Sequence, residues 1–405
     1  MALVPGDILD TTLSIDLEAH TGIATLTLAP SEAREQLEVG DLVIRSVQVD
    51  DGHGGKTPLD STREGTRLEF TLPASTAPLQ VTFEYDWQLH ERHDGISANG
   101  QIYTWPYWCG NVFPCRSAPG GGSTFHLTLA GNDAPTLHPR EIASDAPPYM
   151  LAWTSGWQRK VELGTTRAGT RVSLWRDGAD ASAAQAGSAH LVAAFDWLER
   201  NIGPYRFGAD VASVVVDRSI LPAGGIELHP YWQVSSREAD DESLHIHEAA
   251  HGWFGNGVRL RCWEDFVLSE GTASYLAARV LEEVAGSEAA ASVWQTYRNE
   301  LGTPGVLYWI AWPDSCGQID ILDEELRMTS RIPYVKGALF YRALEQRIGR
   351  DLFDQGLRTF YQRWAGKAAG MQDLLDVMQE VSGYTVQDCA VAWLRREAAP
   401  PEACP

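Results

Sequence analysis

Two periodicities divide the chain. From residue 13 to about residue 165, apolar side chains fall on alternate positions: Leu68, Phe70 and Leu72, then Leu79, Val81, Phe83, Tyr85 and Trp87, then Phe125, Leu127 and Leu129. Successive side chains of a strand point to opposite faces, so this pattern predicts half-buried strands of an all-β domain, with Gly, Pro, Asp and Ser clusters as the turns between them. The segment RDGADASAAQAGS at 176–188 carries neither pattern, and beyond it the spacing becomes helical, as in Leu191, Phe195, Leu198 and Ile202. The expected fold is therefore α+β in two domains, an all-β domain over 1–178 and a mainly helical one over 179–405. The second opens with that helix, followed by a β-branched run from Val211 to Val216 and a Gly-rich turn into GGIELHP, a segment able to pair beside the run. Helices are expected near 242–256, 269–284, 287–300, 334–348, 351–365, 371–381 and 386–396.

Composition changes this picture only at the level of partners. Acidic residues outnumber basic ones by 54 to 32, and a formal charge of -22 over 405 residues repels nucleic acid and anionic lipid alike. The opening MALVPGDILDTTLSIDL lacks a basic leader, and no apolar run reaches bilayer length, so a cytoplasmic location is expected. The six cysteines, Cys109, Cys115, Cys262, Cys316, Cys389 and Cys404, show no paired CxxC spacing and read as ordinary reduced thiols.

The chemistry concentrates in HIHEAAHGWFGN, residues 245–256. His247 and His251 are four apart, so a helix presents both imidazoles on one face, one turn apart, to a single ion. A catalytic zinc takes three protein ligands and keeps one position open for water. Glu270, in WEDFVLSEGTASYL, is the candidate third ligand, near the start of another helix. Glu248 sits beside the histidines, where a carboxylate can take the proton of an activated water and pass it to a leaving amine. His245 falls off the metal-facing side and reads as a packed neighbour. A helix with two histidines in the core explains HExxH alone, but not HExxH together with the spaced Glu270.

These residues resemble peptidase family M1, the aminopeptidase N and leukotriene hydrolase group of gluzincins, whose hallmark is HExxH-x18-E. Gly224-Gly225-Ile226-Glu227-Leu228 is similar to the family's GxMEN motif, which implies substrate contacts at Gly224 and Gly225 and makes Glu227 the anchor for a substrate's α-ammonium. Pro333-Tyr334-Val335-Lys336-Gly337 is similar to the YxKG segment, making Tyr334 the oxyanion donor. FPCRSAP at 113–119 is similar to the PCxDxP stretch of the β domain. The resemblance implies a β-saddle domain followed by a thermolysin-like domain, one zinc ion per chain and aminopeptidase activity on peptides with a free N-terminus.

Three departures stand out. Leu228 and Ile226 replace the family's Asn and Met. A second ammonium anchor upstream of the PC stretch would fall in the aromatic run Tyr103, Trp105, Tyr107 and Trp108, with Gln101 the nearest polar substitute. The chain also ends where the catalytic domain of relatives ends, without their C-terminal helical domain, so an open cleft is expected, which a second copy of the chain would be able to cover. Two other readings share the same residues: a zinc-stabilised peptide-binding protein, and an epoxide hydrolase of the leukotriene hydrolase type. Glu248 and Tyr334 weigh against the binder, which needs neither a base nor an oxyanion donor.

Overall fold

The computed structural model describes residues 4–50, 55–98, 100–131, 135–156, 158–176, 181–217, 221, 224–317, 319–401 and 403–404. The chain forms two compact units, Met1–Gln158 and Arg159–Pro405. Residue 178, where the sequence places the boundary, lies outside the described residues. The strands Arg159–Thr165 and Arg171–Arg176, assigned by their position to the β domain, pair with each other and then with Asp210–Val216 of the second unit. A period of two marks a strand but not the sheet it joins, which is why the division falls about twenty residues earlier than expected.

In the first unit, a seven-stranded sheet runs in the order Glu141–Ala146, Ser123–Ala130, Ile8–Asp16, Thr21–Leu28, Leu79–Asp86, Val43–Asp50, Lys56–Pro58. A second sheet of three strands, Arg34–Glu38, Arg67–Thr71 and Ser61–Glu64, covers part of it. Their inner faces carry the alternating apolar residues: Phe70 meets Phe83 edge to face at 5.8 Å between ring centroids. Aromatic pairs of this geometry add to the area they bury, so the period-two positions become one core.

The second unit begins with a five-stranded sheet ordered Arg159–Thr165, Arg171–Arg176, Asp210–Val216, Tyr231–Ser235, Gly225–Ile226. The three middle strands are mutually parallel, and Gly225–Ile226 is an antiparallel edge strand. Within GGIELHP, Gly225–Ile226 pairs with the strand Tyr231–Ser235 that follows it, and the Pro230 carbonyl accepts from the Ala212 N–H of the β-branched run at 3.0 Å. Helices complete the unit, among them Leu191–Asn201, Glu242–Ala250, Phe266–Ala285, Ser287–Leu301, Arg331–Ile348, Arg350–Trp364, Met371–Ser382 and Gln387–Leu394. The helix expected over 242–256 stops at Ala250 because Gly252, Gly255 and Gly257 follow, and Gly255 adopts φ 105°, a value open to glycine and costly for other residues.

The cysteines depart most from expectation. All six are paired, as Cys109–Cys115, Cys262–Cys316 and Cys389–Cys404, with Cα separations of 6.1, 5.6 and 5.0 Å, inside the range a disulfide spans. Sequence separations of 6, 54 and 15 give no motif to read, because tertiary structure, rather than local spacing, brings each pair together. Among the described residues no helix is long and apolar enough to cross a membrane.

Candidate metal centre and active site

The His-bearing helix starts at Asp241, whose carboxylate accepts from the backbone N–H groups of Ser243 (2.8 Å) and Leu244 (3.2 Å). Such a cap satisfies donors that the first turn leaves without partners and contributes about 1 kcal/mol. His251 lies one residue past the helix end but keeps right-handed φ and ψ of -59° and -21°, so the one-turn offset from His247 survives. Glu270 comes from the helix Phe266–Ala285, and Tyr334 from the helix Arg331–Ile348. These two helices cross at Gly271 and Gly337: a Cβ added to Gly271 would stand 2.8 Å from the Gly337 Cα. No larger residue permits that approach, and it is what brings the helices of Glu270 and Tyr334 side by side. Glycine at the end of PYVKG is therefore a packing requirement of the site.

Three ligand atoms converge. His247 Nε2 lies 3.1 Å from Glu270 Oε2 and 3.1 Å from His251 Nε2, and His251 Nε2 lies 3.4 Å from Glu270 Oε2. A tetrahedral ion with ligands about 2.0–2.1 Å away has edges of roughly 3.3–3.4 Å, so the three atoms match one face of a zinc coordination shell. The outer ring nitrogens fix the tautomers. His251 Nδ1 donates to the Phe254 carbonyl at 3.0 Å, leaving its Nε2 lone pair for a metal, and His247 Nδ1 faces Ser274 Oγ at 3.4 Å.

The electrostatics point to a cation. Burial opposes charge on Glu270, yet the positive field of His251 and hydrogen bonds from both imidazoles bring its carboxyl down to about 2. Burial likewise opposes charge on His251, but Glu270, Glu227 and Glu248 raise it to about 10. A proton held that firmly among carboxylates occupies the field that a divalent ion would satisfy. Burial lowers His247.

Glu248 is 4% exposed, and its Oε2 has no hydrogen-bond partner among the described residues. Burial holds its carboxyl well above the usual range, reinforced by Glu227 and Glu270 and opposed by His251. Glu227 is buried beside it and shifted the same way by burial; ligand atoms of Glu227, Glu248 and His251 lie within 4.8 Å of one another. Gly225 permits this arrangement, because a Cβ there would collide with the Glu248 carboxylate. Tyr334 stacks on His247 with ring centroids 5.8 Å apart, and burial keeps its phenol protonated. All eight residues singled out in the sequence, Gly224, Gly225, Glu227, His247, Glu248, His251, Glu270 and Tyr334, line one cavity of about 650 Å³. His245 is spent internally, on Ser213 Oγ at 2.8 Å and the Ala239 carbonyl at 2.9 Å.

Residues 228–393 match the model of the peptidase family M1 domain. That stretch is similar to an M1 domain. Over 156 residues it is 31% identical to aminopeptidase N of Streptomyces lividans, covering 37% of this chain and 18% of that protein. Leucine aminopeptidase 2 of Neurospora crassa is 24% identical over 351 residues, covering 80% of this chain and 48% of that protein. The chain thus spans at most about half the length of these two relatives. An M1 zinc metallopeptidase from Deinococcus radiodurans, solved with a Tyr-Ser-Ala substrate, superposes with a TM-score of 0.83 at 17% identity, over 99% of this chain and 97% of that one. The fold is that of two-domain M1 metallopeptidases.

Around the M1 motifs stand residues that sequence reasoning passed over. His229 donates through Nε2 to the Glu248 carbonyl at 2.8 Å and pairs through Nδ1 with the Tyr205 hydroxyl at 2.8 Å; burial lowers it to about 3, so it is neutral. Asn256 donates to the Glu227 carbonyl at 2.6 Å, tying the end of HEAAHGWFGN to the GGIEL segment. Lys336 is fully buried and donates to the carbonyls of Trp309 and Arg396. Of these, only Asn256 and Lys336 fall inside motif-like stretches, and nothing local signals His229. Gln101, considered as a second ammonium anchor, is buried in the first unit and donates to the Ser155 carbonyl at 3.2 Å.

Proposed function

We propose that the protein is a zinc-dependent aminopeptidase that removes the first residue of peptides with a free N-terminus. The observation that carries this reading is the buried Glu227 carboxylate within 4.8 Å of Glu248 and His251, next to a ready metal triad. A hydrolase needs no buried acid there beyond its base, whereas an exopeptidase needs one to hold the ammonium group. His247, His251 and Glu270 would hold one zinc ion, which supplies acidification of a water molecule and polarisation of the scissile carbonyl.

The chain's own residues perform the rest. Glu227 fixes the substrate's ammonium, and the edge strand at Gly224 and Gly225 offers main chain to the substrate backbone. Glu248 Oε2, without a partner among the described residues, accepts the proton of the attacking water and returns it to the leaving amine. The Tyr334 phenol donates to the oxyanion as it develops, a contribution of roughly 3–4 kcal/mol in comparable sites. The three disulfides favour an oxidising compartment over the cytoplasmic location expected from the sequence.

The test is an assay of zinc-loaded protein on aminoacyl amides and short peptides, free and acetylated, with Glu248→Gln as control. Cleavage of the free series alone, abolished by the substitution, is the expected result. Equal cleavage of acetylated peptides would remove the exopeptidase reading.

A further inference from the structure

The cavity continues beyond the metal-binding side chains. Glu227 clusters with His251 at the C-terminal end of the helix Glu242–Ala250, while Asp241, Ser243 and Leu244, at the other end, line the same cavity. At 1.5 Å of rise per residue, Leu244 and Asp241 stand about 4.5 and 9 Å along the axis from His247, away from Glu227. A peptide held by its ammonium at Glu227, with its first carbonyl at the metal ligands, therefore extends its leaving portion into this outer half.

Carboxylates line that half, but they are not equivalent. Asp241 is committed to capping the helix. Glu300 is paired with Arg331 at 2.9 Å, so the guanidinium on this wall is already neutralised. Glu238 differs: it is half-buried and its carboxylate has no hydrogen bond or ion pair among the described residues. Its Oε2 lies 2.6 Å from where a Cβ on Gly224 would be, against the edge strand that faces the cavity. A carboxylate held partly out of water beside a substrate's path gains most from a cation that reaches it. The cavity as a whole is built for a ligand, since the 4% exposed Glu248 keeps in it an oxygen without a partner among the described residues.

We propose that Glu238 is a specificity-determining residue, selecting peptides with lysine or arginine immediately after the scissile bond. The proposal rests on the aminopeptidase reading for the direction of the substrate.

The experiment compares kcat/KM of zinc-loaded protein on Leu-X-Ala tripeptides with X as Arg, Lys, Leu or Glu, in the wild type and in Glu238→Gln. A preference for Arg and Lys over Glu of about tenfold is expected, falling below about threefold in the variant while Leu-Leu-Ala is unchanged. No preference, or one that survives the substitution, overturns the proposal. If no peptide is cleaved, the aminopeptidase reading itself has failed, and binding decides. Zinc-loaded Glu248→Gln protein is then titrated with Leu-Arg-Ala and Leu-Glu-Ala, with and without Glu238→Gln. Tighter binding of the cationic peptide that depends on Glu238 supports the assignment, and equal binding overturns it.

Discussion

The inner and outer halves of the cavity carry similar residue types and behave differently. In the inner half, Glu227, Glu248 and Glu270 are buried, the carboxyls of Glu227 and Glu248 are raised and that of Glu270 is lowered, and one oxygen of Glu248 has no partner among the described residues. In the outer half, Asp241 caps a helix and Glu300 pairs with an arginine whose side chain is about half exposed. Burial makes the difference: a carboxylate taken out of water must find a cation, a proton or a substrate, whereas a solvated one is satisfied where it stands. Acidic residues thus become chemical groups on the inner side and, in the outer half, at Glu238.

That contrast can be broken from either side. The largest effect is expected from Glu248→Gln, which keeps the shape and removes the base: kcat falls by about 10²–10⁴-fold with zinc content unchanged, checked by steady-state kinetics and metal analysis. An activity loss that tracks zinc loss would mean that Glu248 supports the metal instead. Next comes Gly337→Ala, which places a methyl group against the Gly271 backbone. Forcing these helices apart is expected to lower stability by about 1–3 kcal/mol and to separate Tyr334 from Glu270, read as a drop in Tm together with kcat. An unchanged Tm would show that the crossing has slack.

A third effect concerns pH. His229 is held neutral, with its pKa lowered from 6.5 to about 3 by burial. The unfolded chain binds a proton at this residue below pH 6.5 and the folded chain does not, so stability is full above pH 6.5 and declines as pH falls towards 3. The slope is at most about 1.4 kcal/mol per pH unit. In His229→Gln, denaturant unfolding between those pH values should lose that one-proton slope. An unaltered slope would assign the acid sensitivity to other groups.

Much of the fold was legible because its signals are local. Alternation over Leu79–Trp87 and helical spacing over Leu191–Ile202 depend on neighbours a few residues away, and the strand Leu79–Asp86 and the helix Leu191–Asn201 follow. The site was legible because zinc chemistry imposes a spacing on His247 and His251, and Glu270 and Tyr334 stand in recognisable segments. What escaped depends on contacts distant in sequence. The sheet that takes up 159–176 is decided by pairing with Asp210–Val216. The Cys262–Cys316 bond closes a loop of 54 residues, and His229 acts on a carbonyl nineteen positions away. Glu238 is one acid among 54 in the sequence and becomes distinct only through its position against Gly224.

The central claim is that the inner acid Glu227 reads the substrate's free ammonium group. Its most direct test is the ratio of kcat/KM for a free peptide to that for its acetylated form, measured in wild type, Glu227→Gln and Glu238→Gln. The ratio should be large in the wild type, unchanged in Glu238→Gln and reduced by about a hundredfold in Glu227→Gln, the loss of a charged, buried partner costing about 2–3 kcal/mol. A ratio that Glu227→Gln leaves intact would contradict the account.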